Sequence, residues 1–552
     1  MKRISTRITE WVLPVGVGLA SLVLMGVLSA CTATQPEAGP SAPITFPSED
    51  QASSLKDVPS IGALPGGVAP GGAPAPAPAT SPSGGAPAPA AALKLLKTSP
   101  DKGYVGDSFT MTGEGLPSGK EVEFAWVTVD GGYTTVVGPE NVEFHEKTFE
   151  PKRVSLGRFP INAEGRLSAS LKAPDDYGEV HDIFAVVDGQ DVAKGGYRIM
   201  RNATISPTEG PVGTPITIKV TGLGWKTFES TIGVRYDNQP TGLVTAVTTR
   251  GIAEFQIRAT GAPGKRVIDL NHAARSTPYL NNQQSGTAHI SDLRLWFTVT
   301  KDSGPPPFTI EWPEDGRLAK AADLAVKTAS GGVVAAPGFS AVMDPPSGPI
   351  LSQATVQARG LSANSVVELF WITVKGNRTI VSGWGTTETS LLKKTTSADG
   401  SLTASVQIPD DLGGWHTIKL VQGEKVVGEV PYFVERSIVG ITPMRVKAGE
   451  TFNIQIKGVG WTELDNGVAI TYDNSFIGFA CGFNSQGDVT VPLVATGEPG
   501  THLIDLYPMI YQGHGKPPWS YQWPILTYRQ DAPGLALGYR LPAIRLAITV
   551  VE

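Results

Sequence analysis

Cysteine is nearly absent: the 552 residues contain two, Cys31 and Cys481. Disulfides are therefore no framework for this chain, and any folded part must be held by its own cores. Charge is also scarce. Only 17% of residues are charged and the formal net charge is −6. That excludes the basic field a nucleic-acid binder needs, and no polybasic stretch offers itself to anionic lipid. The chemistry-bearing motifs are missing too. The seven histidines (145, 181, 272, 289, 416, 502 and 514) include no pair at zinc or metalloprotease spacing. There is no Gly-x-Ser-x-Gly elbow, no phosphate-binding glycine loop and no cysteine–histidine arrangement. Glycine (64) and proline (45) are abundant instead. With frequent Val, Thr and Ile they favour short strands and many turns over helices, and 552 residues exceed one core.

Lys2, Arg3 and Arg7 precede an apolar run from Trp11 to Ala30 that ends on Cys31. The run is long enough to span a membrane, but "LSAC", Leu28 to Cys31, resembles a bacterial lipobox. The resemblance implies a signal peptide over 1–30, cleavage before Cys31, a lipid on that cysteine, and an exported chain anchored to the cell envelope and exposed at its surface. Residues 31–92 follow, centred on "GGVAPGGAPAPAPATSPSGGAPAPAAA". Such a stretch buries too little surface to offset its ordering entropy, which predicts a disordered tether of polyproline-II character. Its roughly 60 residues would span about 45 Å as a coil and about 190 Å fully extended. Cys481, inside the strand-like "SFIGFACGF", reads as a small buried hydrophobe.

Beyond the tether the chain repeats itself. "GLGWKTFESTIGVRYDN" (222–238) returns as "GVGWTELDNGVAITYDN" (458–474), and "ATGAPGKRVIDL" (259–270) as "ATGEPGTHLIDL" (495–506), without a gap. Upstream, "VEFAWVTVDG" (122–131) matches "VELFWITVKG" (367–376), and "GRLSASLKAPDDYGEVHDI" (165–183) matches "GSLTASVQIPDDLGGWHTI" (400–418). Between those two blocks the first copy carries about ten extra residues, in "ENVEFHEKTFEPKRVSLGRF". The order is A–B–A′–B′. Stretches such as "TPITIKVTG" and "TFNIQIKG" alternate apolar and polar residues with the period of a half-buried strand. Strands of five to seven residues separated by turn signals predict β-sandwiches of about 100 residues. The Pro207…Gly213, Gly222-Leu223-Gly224-Trp225, Tyr236-Asp237-Asn238 and Pro263-Gly264 elements, and their counterparts at Pro443…Gly449, Gly458 to Trp461, Tyr472 to Asn474 and Pro499 to His502, resemble the bacterial immunoglobulin-like modules of the IPT/TIG type. The resemblance implies an all-β chain of four tandem Ig-like sandwiches: A over 93–200, B over 201–300, A′ over 339–435 and B′ over 436–552. Residues 301–338, with the run "GPPPF", read as a semi-rigid linker with a short helix around 316–328.

Binding candidates are few. The paired Asp175-Asp176 and Asp410-Asp411 turns offer adjacent carboxylates to Ca²⁺, and Asp237 and Asp473 are candidates on the same footing; calcium needs six or more oxygens, and aspartate is a turn residue in its own right. No other cofactor is expected. The equivalent His181 and His416, and His502, read as structural. The clearest departure from the repeat is 507–540 in B′, where Tyr511, Trp519, Tyr521, Trp523 and Tyr528 stand on a proline-braced insertion. Aromatics with polar tips suit sugar stacking or a protein hot spot; the other outcome is that they fold back onto the sandwich or pack between modules. The sequence thus points to a non-catalytic surface lipoprotein binding envelope polysaccharide or a surface protein. A self-associating subunit of a surface layer or filament is the alternative, and an enzyme or enzyme accessory working through the insertion is a third.

Overall fold

The computed structural model describes residues 93–552 apart from 138–141, 227, 275–276, 282, 284–289, 291, 319–334, 377–383 and 512–521. Residues 1–92, with the expected signal peptide, Cys31 and the expected tether, lie outside the described residues. Residues Pro89–Glu552 form one compact unit. Its regular structure is almost entirely strand, and the helical residues described are three-residue 3₁₀ turns.

Each of the four modules is a pair of sheets built to one plan. In A the small sheet is Lys97–Ser99, Ser108–Gly113 and Leu167–Lys172, in that order. The large sheet runs Lys94–Leu95 (with Lys102–Gly103), Gln190–Ile199, Glu179–Val187, Glu121–Val137 and Val142–Pro160. The first, second and fifth strands thus oppose the seventh, sixth, third and fourth, the first strand crossing over to pair in parallel with the last. That is an immunoglobulin-like sandwich. B repeats it with Asn202–Ser206, Pro215–Thr221 and Ala253–Arg258 against Leu293–Val299, Gly264–Ala274, Thr231–Tyr236 and Gln239–Thr245. A′ and B′ repeat it again. Alternation makes the sandwich: Leu167–Lys172 and Leu402–Gln407 are buried and exposed at strictly alternate positions. The Tyr-Asp-Asn segments are two-residue hairpin turns, with φ of 46° and 69° at Asp237 and Asn238 and of 50° and 63° at Asp473 and Asn474.

Two departures from the plan tie the modules together. The ten extra residues of A lengthen its central hairpin to strands of 17 and 19 residues, against 11 and 12 in A′. The extension carries Val142 and Phe144 into a core shared with B, with Trp415 and Phe433 of A′, and with B′. The segment read as a linker contributes a strand, Thr309–Glu311, antiparallel to Ala543–Val551 of B′. That corrects the hinge expectation for this stretch: its backbone is paired. Within the stretch expected to be helical, Asp315–Arg317 is a single 3₁₀ turn, and 319–334 lie outside the described residues.

Candidate functional site

The aspartates offered to calcium are joint residues. Asp176 is fully buried; its carboxylate accepts from Trp126 Nε1 (2.8 Å), Thr128 Oγ1 (2.9 Å) and Tyr177 N (2.9 Å), and Arg250 of module B lies 3.4 Å away. Asp411 repeats this in A′, accepting from Trp371 Nε1 at 2.9 Å and Leu412 N at 2.8 Å. Asp175 is exposed, and Asp410 pairs with Lys457 at 2.7 Å. Asp410 and Asp411 engage different partners, and no group of three or more metal-ligating side chains converges among the described residues.

The glycine beyond each turn is what the following module requires. A Cβ on Gly178 would sit 1.8 Å from the Gly222 carbonyl oxygen, and one on Gly413 1.8 Å from that of Gly458. Gly178 N donates to Leu223 O at 2.9 Å, and Gly413 N to Val459 O at 3.1 Å. The repeated Gly-x-Gly-Trp is therefore a docking edge as well as part of a sandwich. Its tryptophans meet the buried His181 and His416, with ring centroids 4.9 and 5.1 Å apart. Both imidazoles stack on a core tryptophan, His181 on Trp126 at 4.2 Å and His416 on Trp371 at 4.3 Å. Burial lowers the His181 pKa, so the ring stays neutral.

The described aromatics of the insertion pack inward. Tyr528 is 3% exposed, and its hydroxyl donates to Glu311 Oε2 at 2.8 Å. That corrects its place among ligand-binding candidates: a buried phenol needs a partner, and Glu311 supplies it. Tyr511 and Trp523 are half-buried, their rings 6.4 Å from Phe479 and 4.9 Å from Phe476. Trp519 and Tyr521 lie outside the described residues. The void enclosed among Leu464, Met509, Ile525, Leu535 and Tyr539 is about 20 Å³, room for a water at most. Cys481 is half-buried, less enclosed than its sequence suggests.

What the insertion does is join modules. Residues 524–526 pair with the edge of B: Leu243 N donates to Pro524 O, and Leu526 N to Leu243 O, both at 2.9 Å. Asp531, 1% exposed, accepts from Val247 N (2.8 Å) and from Thr248 N and Oγ1 (2.9 and 2.7 Å) of B, and from Tyr133 of A (2.9 Å). Leu537 O accepts from Trp415 Nε1 of A′ at 3.0 Å. From the arm of A, Phe144 N donates to Glu463 of B′ at 2.9 Å, and the half-buried Lys147 donates to Thr231 Oγ1 of B at 2.6 Å. Burial lowers the Lys147 pKa to about 8, against the pull of Asp531.

A second set of charges lies between the sheets. Arg258, on the outer side of the small sheet of B, pairs with Asp505 of B′ at 2.5 Å and donates to Leu546 O at 2.6 Å. Arg545 lies 3.3 Å from the other Asp505 oxygen and 2.7 Å from Glu311. Burial would raise the Glu311 pKa, but Arg545 more than reverses this and holds it below the usual range. Arg258, Arg545 and Asp505 were not singled out from sequence. The signal was present: "AIRLAITVV" is apolar at nearly every position, as in a strand covered on both faces.

One outer face stays open as a cleft. In A′, Ser340, Val342, Gln357, Arg359, Asp399 and Thr403 line a concavity of about 630 Å³. Hydrogen bonds from Ser397 and Ser401 hold the Asp399 carboxyl down to about 2, so it is ionised at neutral pH.

No family model matches the chain, and no curated protein matches it. Solved structures that match include Salmonella alpha-2-macroglobulin reacted with methylamine, at 9% identity and TM-score 0.16, where 81% of this chain covers 30% of that one. An ICAM-5 ectodomain fragment matches at 11% identity and TM-score 0.17, over 83% of this chain and 99% of that one. The ligand-binding domain of human OSCAR matches at 9% and 0.13, over 43% and 98%. The chain thus spans under a third of the macroglobulin's length, and likeness of this degree carries no argument about function.

Proposed function

We propose that this chain is an exported, lipid-anchored envelope protein that performs no chemistry and presents a rigid block of four Ig-like sandwiches to an envelope polysaccharide. The observation that supports it most is the inward use of the insertion. Asp531, Arg258 and the shared core bind the sandwiches to one another, which leaves the outer sheet faces as the surfaces on offer. Of the outer faces that these contacts leave uncovered, that of A′ forms a cleft with the chemistry a polyhydroxylated ligand needs: the Gln357 amide, the Arg359 guanidinium and the Thr403 hydroxyl. The lipobox and the tether belong to the same reading. They would hold the block at the membrane on a leash, free to reach its ligand.

The test is a binding series on isolated envelope polysaccharides with the wild type and a Gln357→Ala/Arg359→Ala variant whose fold is checked by circular dichroism. Binding should be present in the first and at least tenfold weaker in the second. A wild type that binds no polysaccharide, or a folded variant that binds equally well, sinks the reading.

A further inference from the structure

The contact between B and B′ joins two copies of one module through different faces. B contributes the outer face of its small sheet, with Gln256 and Arg258 on strand Ala253–Arg258. B′ contributes the outer face of its large sheet, where Ala469, Leu503, Asp505, Tyr507, Ala543 and Arg545 are all at most 1% exposed. A contact between unlike faces of like units is heterologous. Unless a rotation closes it, it leaves one unused face of each kind.

Both unused faces are open. The large sheet of B carries Trp296 where B′ has Ala547: Trp296 pairs with Val267, and Ala547 with the equivalent Leu503. Trp296 is 53% exposed and the Arg294 side chain 61%. Among the described residues, Pro278 covers the Gly233 end of this face. The small sheet of B′ carries Pro492 and Val494 at the positions of Gln256 and Arg258, and Val494 is 50% exposed.

The charges of the two faces match this assignment. Each outer-face aspartate meets two guanidinium groups. Asp505 has Arg545 at 3.3 Å from its own module and Arg258 at 2.5 Å from the other. Asp269 has Arg294 at 2.6 Å and Arg235 at 3.1 Å, both its own. The face of B therefore needs no cation from a partner, and B′ has Val494 where Arg258 stands, while Lys457 on the same face is engaged with Asp410 and Asp488. In place of the ion pair the face of B′ offers Pro492 and Val494, two exposed apolar side chains on which a tryptophan of the kind that anchors interfaces can pack.

We propose that the Trp296 face of B and the Val494 face of B′ are the two halves of a head-to-tail contact between copies of this chain. The occupant of each face is the other face of a second copy, and the product is an open row of molecules. This goes beyond the polysaccharide reading and does not depend on it.

The test is light scattering over a concentration series on the full chain in detergent, with the compact unit Pro89–Glu552 in buffer beside it. Trp296→Asp and Val494→Asp are compared with wild type. Both positions are exposed, so both variants should fold. Wild-type mass should rise with concentration past the dimer, and each variant alone should stay monomeric. An equimolar mixture of the two retains one good face of each kind and should stop at a dimer. A wild type that is monomeric to millimolar concentration, a closed wild-type dimer, a Val494→Asp variant that still associates, or a mixture that stays monomeric would each overturn the proposal. A monomer that binds polysaccharide would overturn it while leaving the ligand reading intact.

Discussion

Modules B and B′ share their strand order, hairpin turn and Gly-x-Gly-Trp edge, yet bury opposite sides. B covers its small sheet with its sibling; B′ covers its large sheet. The difference comes down to a few outward positions. Arg258 stands where B′ has Val494, and Ala547 where B has Trp296. The positions that fold a sandwich are held in common, and the positions that decide what the sandwich touches are free to diverge. Duplication therefore gave one plan two neighbours.

That contrast can be broken most severely at Asp531, which B lacks any counterpart to. Asp531→Ala would strand the buried Val247 amide and the part-buried Thr248 amide, and should lower stability by about 5 kcal/mol in denaturant titration. Next is Arg258→Ala, which leaves Asp505 buried with Arg545 alone and should cost about 3–5 kcal/mol. Removing one of the two guanidiniums at Asp269 instead, Arg294→Ala, should hardly move the midpoint, since Arg294 is largely exposed and Asp269 keeps Arg235. Equal effects at the two sites would show that the B–B′ contact is not what sets them apart.

A third comparison separates the two joints. Trp461 is 2% exposed while Trp225 is half-buried, so Trp461→Ala should cost about 3–5 kcal/mol and Trp225→Ala about 2 kcal/mol less than that.

The smallest effect sharpens the contrast through pH. His502 of B′ holds Asp473 at 2.6 Å, where B uses Arg266 on Asp237 at 3.0 Å. Burial lowers the His502 pKa, but Asp473 outweighs it and the net shift is upward. A raised folded-state pKa stabilises below the unfolded value of about 6.5 and stops doing so as pH rises through the folded value. Thr260 of B also donates to Asp473, at 2.7 Å, so the B–B′ contact shares this dependence. His502→Arg should flatten the fall in stability as pH rises above about 6.5 relative to wild type. An unchanged slope would place the titration elsewhere.

The sandwiches were legible because alternation and turn chemistry are local. "GRLSAS" and "TPITIKVTG" show their buried faces without reference to anything distant. What covers the other face is not local. Arg258 and Val494 both occupy outward positions, and nothing nearby in sequence tells that one is buried by a module more than two hundred residues away. The same blindness governed the insertion. Tyr528 has the composition of a ligand platform, and only the strand Thr309–Glu311, far upstream, reveals that its hydroxyl is taken. The Asp176 and Asp411 turns were visible as turns; the tryptophan indoles that claim them lie 50 and 40 residues away.

Differential scanning calorimetry of the wild type beside Asp531→Ala asks most directly whether the four sandwiches act as one body. Modules joined through a shared core and buried charges should unfold together, with one endotherm whose van't Hoff enthalpy approaches the calorimetric value, and Asp531→Ala should split it. Several separable transitions in the wild type, unmoved by Asp531→Ala, would mean four independent beads and would contradict the welded block.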